Sequence, residues 1–153
     1  MTPLILRQIL LHSLGAFGGT LGYAFLLIAP LNTVLPASLT GLLGYVIYEV
    51  MINLMGQGMI FSYFVATVVI AVICEIAARV MRMPSTIFLL TALVPLVPGY
   101  TFYCAMLAIV EHNGAAVASY GLEAVQIVAG IAVGAAVTST LFRALTVRSP
   151  RRR

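Results

Sequence analysis

The sequence contains few charged side chains, and several residue types that enzyme active sites use are absent. Of its 153 residues, 8% are charged and 62% are hydrophobic, and aspartate, lysine and tryptophan do not occur. A soluble domain carries about 25% charged residues, so water would not solvate the surface of this chain. No nucleophile, base and orienting group share the spacing of an active site. These absences exclude a soluble enzyme and predict an integral membrane protein.

Cysteine and histidine are also scarce. Cys74 and Cys104 lie in apolar runs and predict packed thiols rather than a disulfide. No metal-type spacing occurs, and we expect no metal or other cofactor; His12 and His112 are interpreted as an interfacial and a loop residue, not as ligands. The net charge of +4 comes from arginines crowded at the carboxyl end rather than from a basic face. Nucleic acid is therefore not an expected partner.

Long apolar runs predict an all-α bundle of about five transmembrane helices, in a single domain over residues 1–153. At about 20 residues per crossing, this length leaves almost nothing for a soluble domain. The predicted helices cover residues 8–29, 35–55, 59–80, 85–110 and 117–145. Two alternatives stay open: the first run is a cleaved signal peptide, or only four runs cross the membrane.

The arginines predict the orientation of the chain, because cytoplasmic connections are enriched in basic residues. One cluster lies near the carboxyl end and consists of Arg143, Arg148, Arg151, Arg152 and Arg153. A second cluster, Arg79 and Arg82, separates the third and fourth runs. Five spans put both clusters in the cytoplasm and the amino terminus outside. We therefore expect a multi-pass protein of the bacterial cytoplasmic membrane, with the lipid bilayer as its surroundings.

A Pro-x-x-Pro-Gly motif interrupts the fourth run near its middle. Pro95 and Pro98 lack amide hydrogens and Gly99 favours a change of backbone direction, which predicts a broken helix at residues 95–99. In hydrocarbon such a break is tolerated where protein, water or a ligand satisfies the backbone. The amides of Gly99 and Tyr100 would then face the bilayer centre and form a weak positive pole suited to a carboxylate. Tyr103, one turn further along the helix, would add a hydroxyl to this site. The alternative interpretation of residues 95–99 is a simple proline kink without a binding role.

Ionisable residues within or near the spans are functional candidates, because a charge in hydrocarbon is costly. Glu49, Glu75 and Glu123 are therefore candidates for carrying a coupling proton. Glu75 and Arg79 are also four residues apart, which favours an ion pair at the inner interface. The alternative role for Arg79 or Arg82 is to guide an anionic substrate into an inner vestibule.

Glycines four residues apart occur in the first and the last run. The pairs are Gly15 with Gly19, Gly18 with Gly22, and Gly130 with Gly134. Such spacing lets helix backbones approach closely where apolar burial provides no driving force. It predicts tight packing, either within the chain or against a partner.

One segment resembles a known family. Residues 77–106, AARVMRMPSTIFLLTALVPLVPGYTFYCAM, resemble the small five-helix half of the threonine/serine exporter family. The elements that carry the resemblance are Arg79 and Arg82 before Pro84, then Phe88, the 95–99 motif, Tyr103, Ala105 and Met106. The resemblance implies a proton-driven exporter of threonine and serine or, in split two-gene systems, of a dicarboxylate such as succinate.

The resemblance also implies a partner. In the family, the small half works with a larger half that has five helices of its own and a soluble cytoplasmic part. Transporter sites usually form between two repeats, and this chain resembles one of them. The predicted substrate-binding residues are Arg79, Arg82, Pro95, Pro98, Gly99, Tyr100 and Tyr103. The resemblance is also compatible with a higher oligomer. The alternative function is that of a structural subunit, which stabilises a transporting partner without contacting substrate.

Overall fold

The computed structural model describes the backbone of residues 2–147 and the side chains of residue 7 and residues 9–144. Within this range the chain forms helices and no β-strand. The helices are α1 (Thr2–Leu26), α2 (Leu31–Asn53), α3 (Met59–Met81), α4 (Ser85–Leu93), α5 (Gly99–Val110) and α6 (Gly114–Val147), with a short 3-10 turn (Val94–Leu96) between α4 and α5. Arg148 and the arginines at 151–153, which contribute to the predicted orientation, lie outside the described residues.

Four helices are long and apolar enough to cross a membrane, namely α1 from Ile9 onward, α2, α3, and α6 up to Ala144. The segments Ser85–Leu96 and Gly99–Val110 pass the same test together, as a pair bent by 52°. Large apolar side chains are exposed along these helices, as expected for surfaces that face lipid. Within residues 2–147 the protein is all-α, with four helices of membrane length, or five if the bent pair counts as one, as expected for a multi-pass membrane protein.

Three helices begin earlier than the sequence patterns predicted, and the first of them, α1, starts at Thr2 rather than near residue 8. α2 starts directly after Pro30 rather than near residue 35, and Pro36 lies inside its first turns. A proline this close to a helix start removes only one backbone hydrogen bond, so the helix tolerates it. α6 starts before residue 117, because the Asn113 side chain caps it by accepting a hydrogen bond from the Ala116 amide at 3.1 Å.

Small residues set how closely α2 approaches its neighbours. α2 packs against α1, α3 and α4. A Cβ atom added at Gly41 would lie 2.8 Å from the Thr20 hydroxyl of α1 and 3.2 Å from the Ala92 carbonyl of α4. One added at Gly44 would overlap the Ile70 side chain of α3. Glycine at these positions therefore allows α1, α2, α3 and α4 to meet near the middle of the bundle.

The buried core lies between α2, α3, α4 and α6. Its fully buried members include Ala37, Ala66, Ile70, Cys74, Phe88, Ala92, Leu96 and Ile127. Both cysteines are buried free thiols, Cys74 within this core and Cys104 on α5. The sequence patterns predicted packed thiols at these two positions.

α3 and α6 run in the same direction. Near the start of α3, a Cβ atom at Gly130 of α6 would lie 2.8 Å from the Ile60 carbonyl. Near the end of α3, the Arg79 guanidinium lies over the Phe142 ring of α6, 5.0 Å from its centroid. Because residue numbers rise together in both contacts, α4 and α5 jointly return the chain to the end of the bundle where α3 began.

Candidate functional site

The interruption between α4 and α5 satisfies the two carbonyl groups that its prolines leave without α-helical partners. Pro95 and Pro98 leave the carbonyls of Thr91 and Val94 without α-helical partners. Each accepts a tighter bond instead, from the Val94 amide to Thr91 and from the Val97 amide to Val94 at 3.2 Å. The protein itself therefore satisfies these two carbonyls, and neither needs a ligand.

The start of α5 presents amide groups, but not the pair that the motif predicted. Pro98 has φ −76° and ψ 55°, close to an inverse γ-turn. In this turn the Gly99 amide donates to the Val97 carbonyl at 2.7 Å, so it is already occupied. The amides of Tyr100 and Thr101 are the first-turn donors that a helix start leaves without intrahelical partners. The predicted amide pair at Gly99 and Tyr100 is therefore replaced by Tyr100 and Thr101.

The side chains of α5 divide between two faces. Tyr100 and Tyr103 are 78% and 62% exposed, so both rings lie on the outside of this chain rather than against its core. Thr101 is buried and donates a hydrogen bond from its hydroxyl to Glu123 Oε1 of α6 at 3.3 Å. The structure therefore combines three features at one point: two first-turn amides, a hydroxyl and a carboxylate.

A second polar cluster surrounds Glu49, which is only 8% exposed. Tyr45, one turn earlier in α2, donates its hydroxyl to Glu49 Oε1 at 2.9 Å. Asn53, one turn later, donates its amide to Oε2. His12 of α1 completes the cluster, with Nδ1 3.3 Å from Oε1. Of the three glutamates that the sequence marked as proton carriers, Glu49 has the most complete polar surroundings among the described residues.

Tyrosines extend from the Glu49 cluster toward Glu123. The ring centroids of Tyr45 and Tyr48 are 5.8 Å apart, and those of Tyr48 and Tyr63 are 4.3 Å apart. Tyr63 packs against α6, the helix that carries Glu123, because a Cβ atom added at Gly130 of α6 would lie 3.0 Å from Tyr63 Cβ. The two carboxylates are therefore separated by aromatic hydroxyl-bearing side chains rather than by a purely aliphatic layer.

The predicted substrate residues at the end of α3 lie elsewhere. At 1.5 Å per residue, Arg79 lies about 24 Å along α3 from Tyr63. Arg79 contacts the Phe142 ring of α6, 5.0 Å from the ring centroid. Arg82 is exposed and ends α3 in the left-handed conformation, with φ 54°. The seven predicted substrate residues thus form two separate groups.

Sequence patterns assigned His12 to the membrane interface rather than to a site, and they did not mark Thr101 as a site residue. His12 is 37 residues from Glu49, and Thr101 is 22 residues from Glu123. A usable signal existed in both cases, because each pair belongs to consecutive helices joined by a short turn. Residues at similar distances from such a turn lie at similar heights, so a polar residue in one helix marks a candidate partner for an ionisable residue in the next.

Comparison with known proteins agrees with the resemblance seen in residues 77–106. The family model described as threonine/serine exporter, ThrE, matches residues 12–141. This match extends well beyond the motif segment and covers all the polar groups described above. No curated protein and no solved structure gives a significant match. The chain belongs to the threonine/serine exporter family.

Proposed function

We propose that this chain is one subunit of a secondary exporter that moves threonine or serine out of the cell by alternating access, driven by the proton gradient. The observation that carries the proposal is the start of α5. There, on a helix that packs mainly on α6, the Thr101 hydroxyl meets the Glu123 carboxylate at 3.3 Å beside first-turn amides. Discontinuous helices with this arrangement form substrate sites in secondary transporters.

The chemistry of this point favours an amino acid as substrate. The amides of Tyr100 and Thr101 carry the positive end of the α5 dipole and suit a carboxylate. Glu123, in hydrogen-bond contact with Thr101, supplies the negative group that an ammonium needs. A dicarboxylate would instead require a second cation, and Arg79 and Arg82 lie toward the opposite end of α3. A zwitterion therefore fits this point better than succinate.

The direction of the helices supports five crossings rather than four. α6 runs parallel to α3, as the contacts of Ile60 with Gly130 and of Arg79 with Phe142 indicate. Parallel spans need an intervening crossing, which the bent pair α4 and α5 would provide. The arginine rule then puts Arg79 and Arg143 on the cytoplasmic side and the amino terminus outside. The proposed location is the bacterial inner membrane.

Open surfaces support a partner subunit. Cβ atoms added at the α1 glycines Gly15, Gly18, Gly19 and Gly22 would meet nothing within 4 Å, whereas those at Gly130 and Gly134 would press on α3. The α1 glycines are therefore unused for packing within the described part of the chain. The exposed rings of Tyr100 and Tyr103 lie on α5, which packs mainly on α6. The proposed occupant is the larger five-helix subunit with its soluble cytoplasmic part.

Replacing Glu123 with glutamine tests the proposed substrate contact. The complex of this chain with its partner is reconstituted in proteoliposomes, and threonine transport is measured over a range of concentrations. Loss of the charge partner of a bound ammonium group costs about 2 kcal/mol, so the KM for threonine should rise about thirtyfold in the Glu123→Gln variant. Succinate transport, if detectable, should not fall.

The matched control is Glu111→Gln, an exposed glutamate in the turn between α5 and α6. Its KM should stay within about twofold of the wild-type value, as for other surface substitutions. An unchanged KM in Glu123→Gln would contradict the proposed contact. It would favour the alternative of a structural subunit that stabilises a transporting partner without contacting substrate.

A further inference from the structure

Glu49 occupies a protected position that the proposed substrate site does not use. It lies inside a membrane-length helix, is 8% exposed, and receives partners from both α1 and α2. An ionisable side chain at such a place is costly unless it has a role. The cluster therefore needs an explanation beyond substrate binding at α5.

The groups around Glu49 accommodate both of its protonation states. The carboxylate accepts hydrogen bonds from Tyr45 and Asn53. Once protonated, the carboxyl group can donate to His12 Nδ1, because a neutral imidazole offers one nitrogen as an acceptor. A fixed arginine would hold the carboxylate permanently ionised, whereas histidine and tyrosine do not. The site is thus suited to gain and lose a proton without leaving an unpaired buried group.

Among the described residues, four titratable side chains face the Glu49 carboxyl group or lie directly behind its partners. They are His12 of α1, Tyr45 and Tyr48 of α2, and Tyr63 of α3. Of these, only His12 and Tyr45 contact the carboxyl group itself. α4, the remaining helix packed against α2, contains no titratable residue. Glu123 of α6 contacts Thr101 rather than this cluster.

His12 connects the protected carboxyl group with the outside of the chain. Its side chain is 59% exposed, whereas that of Glu49 is 11% exposed. An imidazole has two ring nitrogens, one that can accept a proton and one that can donate a proton, so it can act as a proton shuttle. A proton can therefore pass between His12 and Glu49 over a single 3.3 Å contact.

We propose that Glu49 and His12 form the proton-binding site of the transport cycle, separate from the substrate site at the start of α5. One proton enters from the outer aqueous phase through His12 and binds the Glu49 carboxylate, and it is released to the inner phase after the transporter changes state. No covalent bond other than that to the proton forms or breaks. This assignment rests on the proposed function, because a proton-coupled cycle is assumed.

The first test separates proton coupling from substrate movement. The complex in proteoliposomes is assayed in two modes, transport driven by an imposed pH gradient and threonine exchange without a gradient. Glu49→Gln mimics the protonated carboxyl group, so gradient-driven transport should fall about a hundredfold while exchange persists. Glu49→Asp should restore part of the gradient-driven rate, and Glu111→Gln should stay within about twofold in both modes. Equal loss of both modes, or loss of neither, would overturn the assignment.

The second test concerns His12. His12→Gln retains a hydrogen-bonding group but cannot relay a proton, so gradient-driven transport should fall while threonine exchange without a gradient persists. A gradient-driven rate in His12→Gln that matches the wild type would show that protons reach Glu49 by another route and would refute the role of His12.

A third measurement does not depend on transport. Infrared difference spectra of the complex between low and high pH should contain a carboxylic acid C=O band that is absent in Glu49→Gln. Lack of such a band would overturn proton binding at Glu49. If the band is present but the wild-type complex shows no threonine exchange, the result counts against the proposed exporter function and not against proton binding at Glu49. The experiment therefore distinguishes the failure of one proposal from the failure of the other.

Discussion

The close contact between α3 and α6 offers a direct test of the arrangement on which the proposed topology depends. Gly130 of α6 faces α3, and an added Cβ atom would lie 2.8 Å from the Ile60 carbonyl and 3.0 Å from Tyr63 Cβ. Both neighbours belong to the backbone or to its first side-chain atom, so neither can rotate away. Gly130→Ala therefore requires the two helices to separate.

A matched variant isolates the effect of that contact. Replacing glycine by alanine inside a helix adds about 1 kcal/mol of helix propensity wherever it is done. Gly15→Ala in α1 receives this gain without a clash, because its Cβ would meet nothing within 4 Å. Overpacking in a close-packed contact costs about 1–3 kcal/mol. Gly130→Ala should therefore be less stable than Gly15→Ala by that amount, which corresponds to roughly 2 to 12 °C in Tm for a chain of this size.

The two native cysteines provide the assay. Cys74 is 1% exposed and Cys104 is 9% exposed, and both are free thiols. A thiol-reactive fluorescent dye should therefore react with purified protein in detergent micelles mainly as the helices separate on heating. The melting curves of wild type, Gly130→Ala and Gly15→Ala can be compared directly, since none of the changes alters a cysteine.

Equal melting temperatures for the two variants would refute the reasoning. They would mean that Gly130 does not meet the Ile60 carbonyl, so that α6 need not run beside α3 in the same direction. The five-crossing topology would then lose its main structural support. A lower melting temperature for Gly15→Ala than for Gly130→Ala would indicate in addition that the α1 glycine face is in use.

Two further predictions address the break and the orientation. Replacing both Pro95 and Pro98 with alanine should join α4 and α5 into one continuous helix. Threonine export, measured relative to the amount of chain in the membrane, should be abolished while the protein still inserts. Undiminished export would contradict a role for the break. A cysteine introduced at Gln57, in the exposed turn between α2 and α3, should react with an impermeant maleimide added to intact cells. A cysteine introduced at Arg82 should react only after the membrane is opened. The reverse pattern would contradict the proposed topology.

Several features of this protein follow from the sequence alone, because they depend on local composition. Long apolar runs with few charges predict helices that cross a membrane, since only a helix satisfies its backbone within one segment. The Pro-x-x-Pro-Gly motif predicts an interruption between residues 95 and 99, because proline lacks the donor that an α-helix requires. The motif segment also carries the family resemblance, which the match over residues 12–141 confirms.

Only the tertiary structure decides which side chains meet. Glu49 with His12 and Glu123 with Thr101 come together across helices, while Tyr103, equally plausible from its spacing, lies on the outside. In a soluble protein the apolar face of a helix reveals its buried side. In a bilayer both the lipid-facing and the packed sides are apolar, so hydropathy does not report how each helix is rotated about its axis. That rotation follows from contacts between helices far apart in the chain, and it determines where the carboxylates lie.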